Sequence, residues 1–137
     1  MTDELAISAE LGELFDLAIN ECVKARRSHA MHPFLVLQEP PGGEIIVLEA
    51  ASTDEAMANA HAAIRAASAG VRAYALAYDG TIHYDTGEPI PAFIVELAER
   101  GGADGFVMFH YYQWFEGELD LIEHPSRVLR RTPSLFR

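Results

Sequence analysis

This 137-residue chain contains a single cysteine, Cys22, which excludes an internal disulfide and any cysteine-based zinc site. No apolar run approaches the ~20 residues that a membrane-spanning helix needs. The first residues, Met1 to Glu4, are acidic where a secretory signal is basic. The length allows one domain, and these absences together predict a cytoplasmic protein.

Basic residues are also scarce, because the chain has 10 of them against 21 acidic residues and a net charge of −11. Binding to phosphate groups needs a basic surface, so this balance disfavours nucleic acid and membranes as partners. Residues 1–126 carry all 21 acids and only six bases, whereas residues 127–137 carry four arginines. We therefore predict a single domain over residues 1–123 and a basic C-terminal arm over residues 124–137. The abundant alanine, and arginine in place of lysine, are associated with GC-rich bacterial genomes.

The common motifs of catalysis and cofactor binding are missing from the sequence. No Gly-x-Ser-x-Gly nucleophile motif occurs, and the glycine pairs at 42–43 and 101–102 lack the lysine and following helix of a phosphate-binding loop. The spacing of His29 and His32 suits two metal ligands, but a site needs a third ligand and no ligand signature is present. We expect neither a cofactor nor a metal.

Two helices and several strands follow from the residue patterns. Apolar residues at three- and four-residue spacing between Leu11 and Val23 predict a helix with Ser8 or Thr2 as its N-cap, which His32-Pro33 stops. Lys24, Arg26 and Arg27 suit the negative end of its dipole. Ser52 and Glu55 have capping-box spacing and predict a second, alanine-rich helix that ends at Gly70. Strands are predicted at residues 34–39, 44–49, 71–78, 81–84, 92–100, 106–115 and, weakly, 118–123.

Two of these strand predictions depend on neighbouring residues. Asp79-Gly80 is a typical two-residue hairpin turn and separates the strands at 71–78 and 81–84. Residues 92–100 alternate as a strand does, although their Glu, Leu and Ala residues favour a helix. We interpret them as a strand because the glycine-rich residues 101–105 lead directly into 106–115, the strongest β segment.

The order αββαββββ(β) predicts an α+β fold, a mainly antiparallel sheet of five to six strands with both helices on one face. Both faces of residues 106–115 are apolar or aromatic, so the second face of the sheet needs cover. We predict that a homodimer supplies it, since closed two-fold dimers are the commonest oligomers. The predicted interface comprises Tyr74, Tyr78, Met108, Tyr112 and Trp114, with Arg127, Arg130 and Arg131 of the arm docked on acidic surface.

These features favour a non-catalytic interaction protein that acts as a homodimer. A second hypothesis is an immunity-like or inhibitor-like protein that neutralises a basic protein partner, because the acidic body attracts positively charged surfaces. A third is a small enzyme in which His110 and a carboxylate, Glu96 or Asp79, form an acid–base pair near Tyr112. A semi-buried structural histidine is the simpler interpretation of His110, so no catalytic residue is assigned.

Overall fold

The fold is given by a computed structural model, which describes residues 7–28, 30–83, 87–102, 104–123 and 128–136. It contains two helices, α1 (Ala9–Ser28) and α2 (Thr53–Ala66), and seven strands. The strands are β1 (Phe34–Glu39), β2 (Gly42–Val47), β3 (Ala73–His83), β4 (Pro89–Glu99), β5 (Asp104–Phe115), β6 (Glu118–Ile122) and β7 (Val128–Pro133). Neither of these helices combines the length and the hydropathy needed to cross a bilayer.

The strands form one antiparallel sheet in the order β2-β1-β3-β4-β5-β6. On the edge of β5 that faces away from β4, β7 pairs with the first half of the strand and β6 with the second half. The predicted α+β class, the antiparallel sheet and the order of helices and strands are therefore confirmed. Residues 92–99 lie within β4, so the interpretation of this segment as a strand is also confirmed.

The predicted hairpin at Asp79-Gly80 is wrong, because β3 runs without interruption from Ala73 to His83. It pairs with β4 along its full length, and this ladder outweighs the local turn preference of the dipeptide. A Cβ atom at Gly80 would lie 2.9 Å from Cδ1 of Ile94, so a larger residue there would require the Ile94 side chain to shift. The fold contains one strand that the sequence did not predict, β7, and this strand lies in the segment predicted to be the basic C-terminal arm.

The two helices lie on opposite faces of the sheet, which corrects the prediction that both cover one face. On the face defined here as the α1 face, α1 packs against Ala73, Ala75 and Ala77 of β3. On the opposite α2 face, α2 packs against Tyr74 and Leu76 of the same strand. Successive side chains of a strand point to opposite faces, and β3 is buried at every position from Ala73 to Ala77, so this half of the strand needs cover on both sides.

The C-terminal residues complete the cover of the α2 face. The backbone N–H of Leu135 donates to the phenol oxygen of Tyr74 at 3.2 Å, and the Phe136 ring meets the Tyr74 ring edge-on at 5.2 Å. The guanidinium of Arg100 lies 4.2 Å from the centre of the Phe136 ring. Tyr74 is fully buried as a result. The chain therefore covers this part of the sheet with its own residues, without a second copy.

Both helix starts follow the predicted capping chemistry. The hydroxyl of Ser52 accepts from the N–H of Glu55 at 3.1 Å, and the Glu55 carboxylate accepts from the N–H of Ala51 at 2.8 Å. In α1, the hydroxyl of Ser8 accepts from the N–H of Leu11 at 3.1 Å. The end of α2 differs from the prediction, because the helix ends at Ala66 and not at Gly70.

Candidate functional site

An exposed apolar surface lies at the end of β5 and on the adjacent β6. Trp114, Phe115 and Leu121 are 44%, 58% and 38% exposed, although all three side chains are large and apolar. Trp114 pairs with Leu119, and Leu121 pairs with Tyr112, so Trp114 and Leu121 are diagonal neighbours on the α1 face. We call Trp114 and Leu121 the Trp114 surface; Phe115 is the next residue along β5, so its side chain lies on the other face of the sheet.

Trp114 is held by a hydrogen-bonded network that joins α1, β3 and β5. The Arg26 guanidinium lies 5.3 Å from the centre of the Trp114 ring and donates from Nε to Oδ2 of Asp79 at 3.2 Å. The Tyr112 hydroxyl donates to Oδ1 of the same carboxylate at 2.7 Å. The Phe93 ring of β4 stacks on the Tyr112 ring, with the two ring centroids 4.3 Å apart. The exposed tryptophan therefore lies beside a cation that is itself hydrogen-bonded to β3.

The same network changes the acidity of Tyr112. Burial raises its pKa to about 12, and the hydrogen bond to Asp79 and the charge of that carboxylate act in the same direction. The hydrogen bond and the charge of Arg26 oppose this rise. The phenol therefore stays protonated and continues to donate to Asp79 well above neutral pH.

We expect the folded protein to lose stability as the pH rises from about 10 to about 12. Tyrosine in an unfolded chain ionises near pH 10, whereas Tyr112 keeps its proton to about 12. Between these values the unfolded state binds fewer protons, so a rising pH favours unfolding. In Tyr112→Phe the free energy of unfolding should fall less steeply with pH over this range. It should still fall, because the pKa of Tyr78 is also raised, first by burial. Urea denaturation across this range measures both slopes, and identical slopes would contradict the role given to Tyr112.

Charges of opposite sign flank the Trp114 surface. Lys24, Arg26 and Arg27 lie in the last turns of α1, and a groove of about 460 Å³ separates this end of the helix from β6. On the strand side the exposed acids are Glu116, Glu118 and Asp120. Glu116 and Gly117 close the β5–β6 hairpin with φ angles of 52° and 83°, as a two-residue type I′ turn requires. The basic end of α1 thus lies on the same face as Trp114, and the acids Glu118 and Asp120 lie at the adjacent edge strand with their side chains toward the other face.

The structure does not bring the predicted interface residues together. Tyr74 and Tyr78 lie on the α2 face, whereas Met108 and Tyr112 are buried beneath α1 and only Trp114 is exposed. The strand register is the reason, because Met108 pairs with Val95, and Val95 pairs with Ala77. Met108 therefore shares a face with the alanines of β3 and not with its tyrosines. The prediction of one shared aromatic face is wrong.

The predicted arm residues lie along the edge of β5. Arg131 in β7 forms an ion pair with Asp104 at 3.7 Å, within the same chain. Arg130 lies close enough to Tyr78 for its positive charge to act on that phenol. Arg127 lies outside the described residues. The arm thus meets acidic and polar groups of its own sheet.

The structure separates His110 from Glu96. His110 is 6% exposed and its Nδ1 lies 3.1 Å from the carbonyl oxygen of Tyr111. It pairs with Phe93 on the α1 face, whereas Glu96 lies on the α2 face and accepts a hydrogen bond from Tyr78 at 3.0 Å. Asp79 shares a face with His110, but both of its oxygens are bonded to Arg26 and Tyr112. The three residues of the enzyme hypothesis therefore do not form one site.

The histidines, carboxylates and single thiol of the described residues do not form a further site. Among the described residues, no group of three or more His, Cys, Asp or Glu side chains is placed to hold a metal ion. His29 lies outside those residues, so the pair with His32 is not described. Cys22 is buried between α1 and the sheet, and burial raises the pKa of its thiol.

Arg26 is the residue of this site that sequence reasoning missed. It was treated only as a favourable charge at the end of a helix, although it follows Cys22 by four residues and so continues the buried stripe of α1. That spacing is the signal that places Arg26 against the sheet. Comparisons of the chain with protein families, with curated proteins and with solved structures found no match.

Proposed function

We propose that this protein is a non-catalytic interaction domain that works as a homodimer, with the Trp114 surface at its two-fold interface. The observation that carries the proposal is a tryptophan that is 44% exposed while its ring packs against Arg26, which is itself bonded to Asp79. Tryptophan, tyrosine and arginine dominate the binding energy of protein interfaces. A fixed side chain also loses little conformational entropy when a partner covers it. A cytoplasmic location stays a prediction.

The charges around Trp114 favour a second copy of the chain as the occupant. In a two-fold interface each surface meets itself, so every contact occurs twice with the roles exchanged. The basic end of α1 in one protomer, with Lys24 and Arg27, can then face the acids of the β5–β6 hairpin in the other, including Glu118. This pairing offsets part of the repulsion between two chains of charge −11.

Sedimentation velocity across a concentration series tests the homodimer. We expect the wild-type chain to sediment at twice its mass of 15.1 kDa at micromolar concentration. In Trp114→Asp the dissociation constant should rise at least ~10-fold, because a charge replaces the central aromatic side chain. The matched control is Ile45→Asp, which places the same charge at a comparably exposed position (47% against 44%) on the opposite edge of the sheet. It should leave the dimer unchanged.

Two outcomes would contradict the proposal. A wild-type chain that stays a 15.1 kDa monomer at every concentration rules out the homodimer. A Trp114→Asp variant that dimerises as strongly as the wild type rules out this interface. Far-UV circular dichroism of each variant shows whether the fold is retained, which is expected because both substituted side chains are exposed.

A further inference from the structure

The outer edge of β2 presents unpaired backbone groups. β2 is the terminal strand of the sheet, and no described strand pairs with its outer side. The N–H of Leu48 donates to the carbonyl oxygen of Pro33 at 2.9 Å, so the backbone N–H and C=O groups of Leu48 point toward the β1 side. Because this direction alternates along a strand, the N–H and C=O groups of Gly43, Ile45 and Val47 point away from β1. These three residues form an open hydrogen-bonding edge.

This edge has few of the features that normally prevent another strand from pairing, since Glu44 is its single charged residue. Lysine, proline and β-bulges protect natural edge strands, and none of these occurs in Gly42–Val47. The opposite edge of the sheet differs, since β7 carries Arg130, Arg131 and Pro133 and pairs with β5 through a bulge. Ile45 and Val47 also expose 47% and 56% of their surface, so the open edge is apolar.

The two faces of the β2 edge differ in chemistry. On the α1 face, a groove of about 280 Å³ lies between α1 and the β1–β2 hairpin and is lined by Leu14, Leu17 and Ile45 among others. On the α2 face, a second groove of about 400 Å³ is lined by Leu37, Glu39 and Glu44 among others. The side chains of an added strand would alternate between these two faces. One row would meet an apolar groove and the other row would meet carboxylates.

The charge around the β2 edge indicates which partner fits. Between Phe34 and Ile64 the sequence has five acidic residues and no lysine or arginine. Glu13, one turn before Leu17 in α1, adds a further exposed acid on the same side of that helix. A second copy of the chain would bring like charges together at this edge, whereas a basic segment would pair with them.

We propose that the β2 edge binds an extended segment of a basic partner protein by strand addition. The segment forms backbone hydrogen bonds with Gly43, Ile45 and Val47. Its apolar side chains lie in the groove beside Leu17, and its alternate arginine or lysine side chains lie beside Glu39 and Glu44. This edge and the Trp114 surface lie at opposite ends of the strand order, so a homodimer leaves the β2 edge open.

A capped seven-residue peptide that alternates arginine and valine is the probe. Added to the full ¹⁵N-labelled protein at low salt, it should shift the amide signals of Gly43, Ile45 and Val47 more than those of other residues. The matched control peptide has the same composition with its valines and arginines in two separate blocks. It carries the same charge without the alternation, so it should bind at least ~5-fold more weakly. Added salt should weaken the binding of the alternating peptide.

Protein variants separate the backbone contribution from the charge contribution. Ile45→Pro removes an outward N–H without breaking a hydrogen bond to β1 and should weaken binding at least ~10-fold. Glu44→Lys keeps the open edge but reverses one charge, and should weaken binding ~3-fold or more. Trp114→Asp should bind the peptide as the wild type does, which distinguishes this test from that of the homodimer.

Three results would overturn the inference. They are equal binding of the two peptides, signal shifts centred away from β2, and wild-type affinity in both Ile45→Pro and Glu44→Lys. Dissociation of the homodimer by Ile45→Pro, with Trp114→Asp still dimeric, would assign the edge to a second copy and overturn it as well. If Ile45→Pro fails to fold, the peptide pair and Glu44→Lys still decide the question.

Discussion

Replacement of Phe93 by alanine is expected to lower the free energy of unfolding by about 3–5 kcal/mol, the usual cost of removing a buried aromatic side chain. Phe93 is fully buried at the centre of β4, between Asp79 on one neighbouring strand and His110 on the other. Its ring stacks on Tyr112, so the substitution leaves a cavity directly below the residue that bonds to Asp79. Urea denaturation measures the change in unfolding free energy.

The effect of Phe93→Ala should extend to the Trp114 surface. Without the stacked ring, Tyr112 has space to move and the position of Arg26 over Trp114 is less constrained. Trp114 is the single tryptophan of the chain, so its fluorescence reports this change directly. Phe115→Ala is the matched control, because that phenylalanine is 58% exposed and should cost under ~1 kcal/mol. Equal losses in the two variants would contradict the assignment of Phe93 to the core.

Ending the chain at Ser134 should lower the free energy of unfolding by about 2 kcal/mol, since Leu135 and Phe136 are each partly buried. The truncation removes the N–H that donates to the phenol oxygen of Tyr74 and the ring that packs against it. It also removes the aromatic ring beneath the Arg100 guanidinium. Tyr74, which is otherwise fully buried, then becomes accessible to solvent.

This truncation distinguishes a packed C-terminal segment from a loose arm. A loose arm would leave the urea midpoint unchanged, and that result would contradict the packing on the α2 face. The control is Leu129→Ala in β7, because Leu129 is 41% exposed and lies outside the cluster around Tyr74. It should change the stability by less than ~1 kcal/mol. Greater exposure of hydrophobic surface in the truncated chain can be followed by dye binding.

Local sequence patterns were sufficient for much of the secondary structure. The capping residues Ser8 and Ser52 start the helices that were predicted from them, because a cap bonds to backbone groups only two or three residues away. The strand at 92–100 was recognised from its alternation and its glycine-rich neighbour. Asp79-Gly80 shows the limit of such reasoning, since the pairing of β3 with β4, which places Asp79 opposite Phe93, overrides the turn preference of the dipeptide.

The sequence alone also established the single free thiol, the excess of acids, the α+β class and the order of the elements. The placement of side chains on the two faces of the sheet depended on tertiary structure. Alternation shows which residues of one strand share a face, but the register between strands decides which of those rows meet across the sheet. Tyr74 and Met108 therefore lie on opposite faces. For the same reason the network of Arg26, Asp79 and Tyr112, which joins residues up to 86 positions apart, became visible only when α1, β3 and β5 came together.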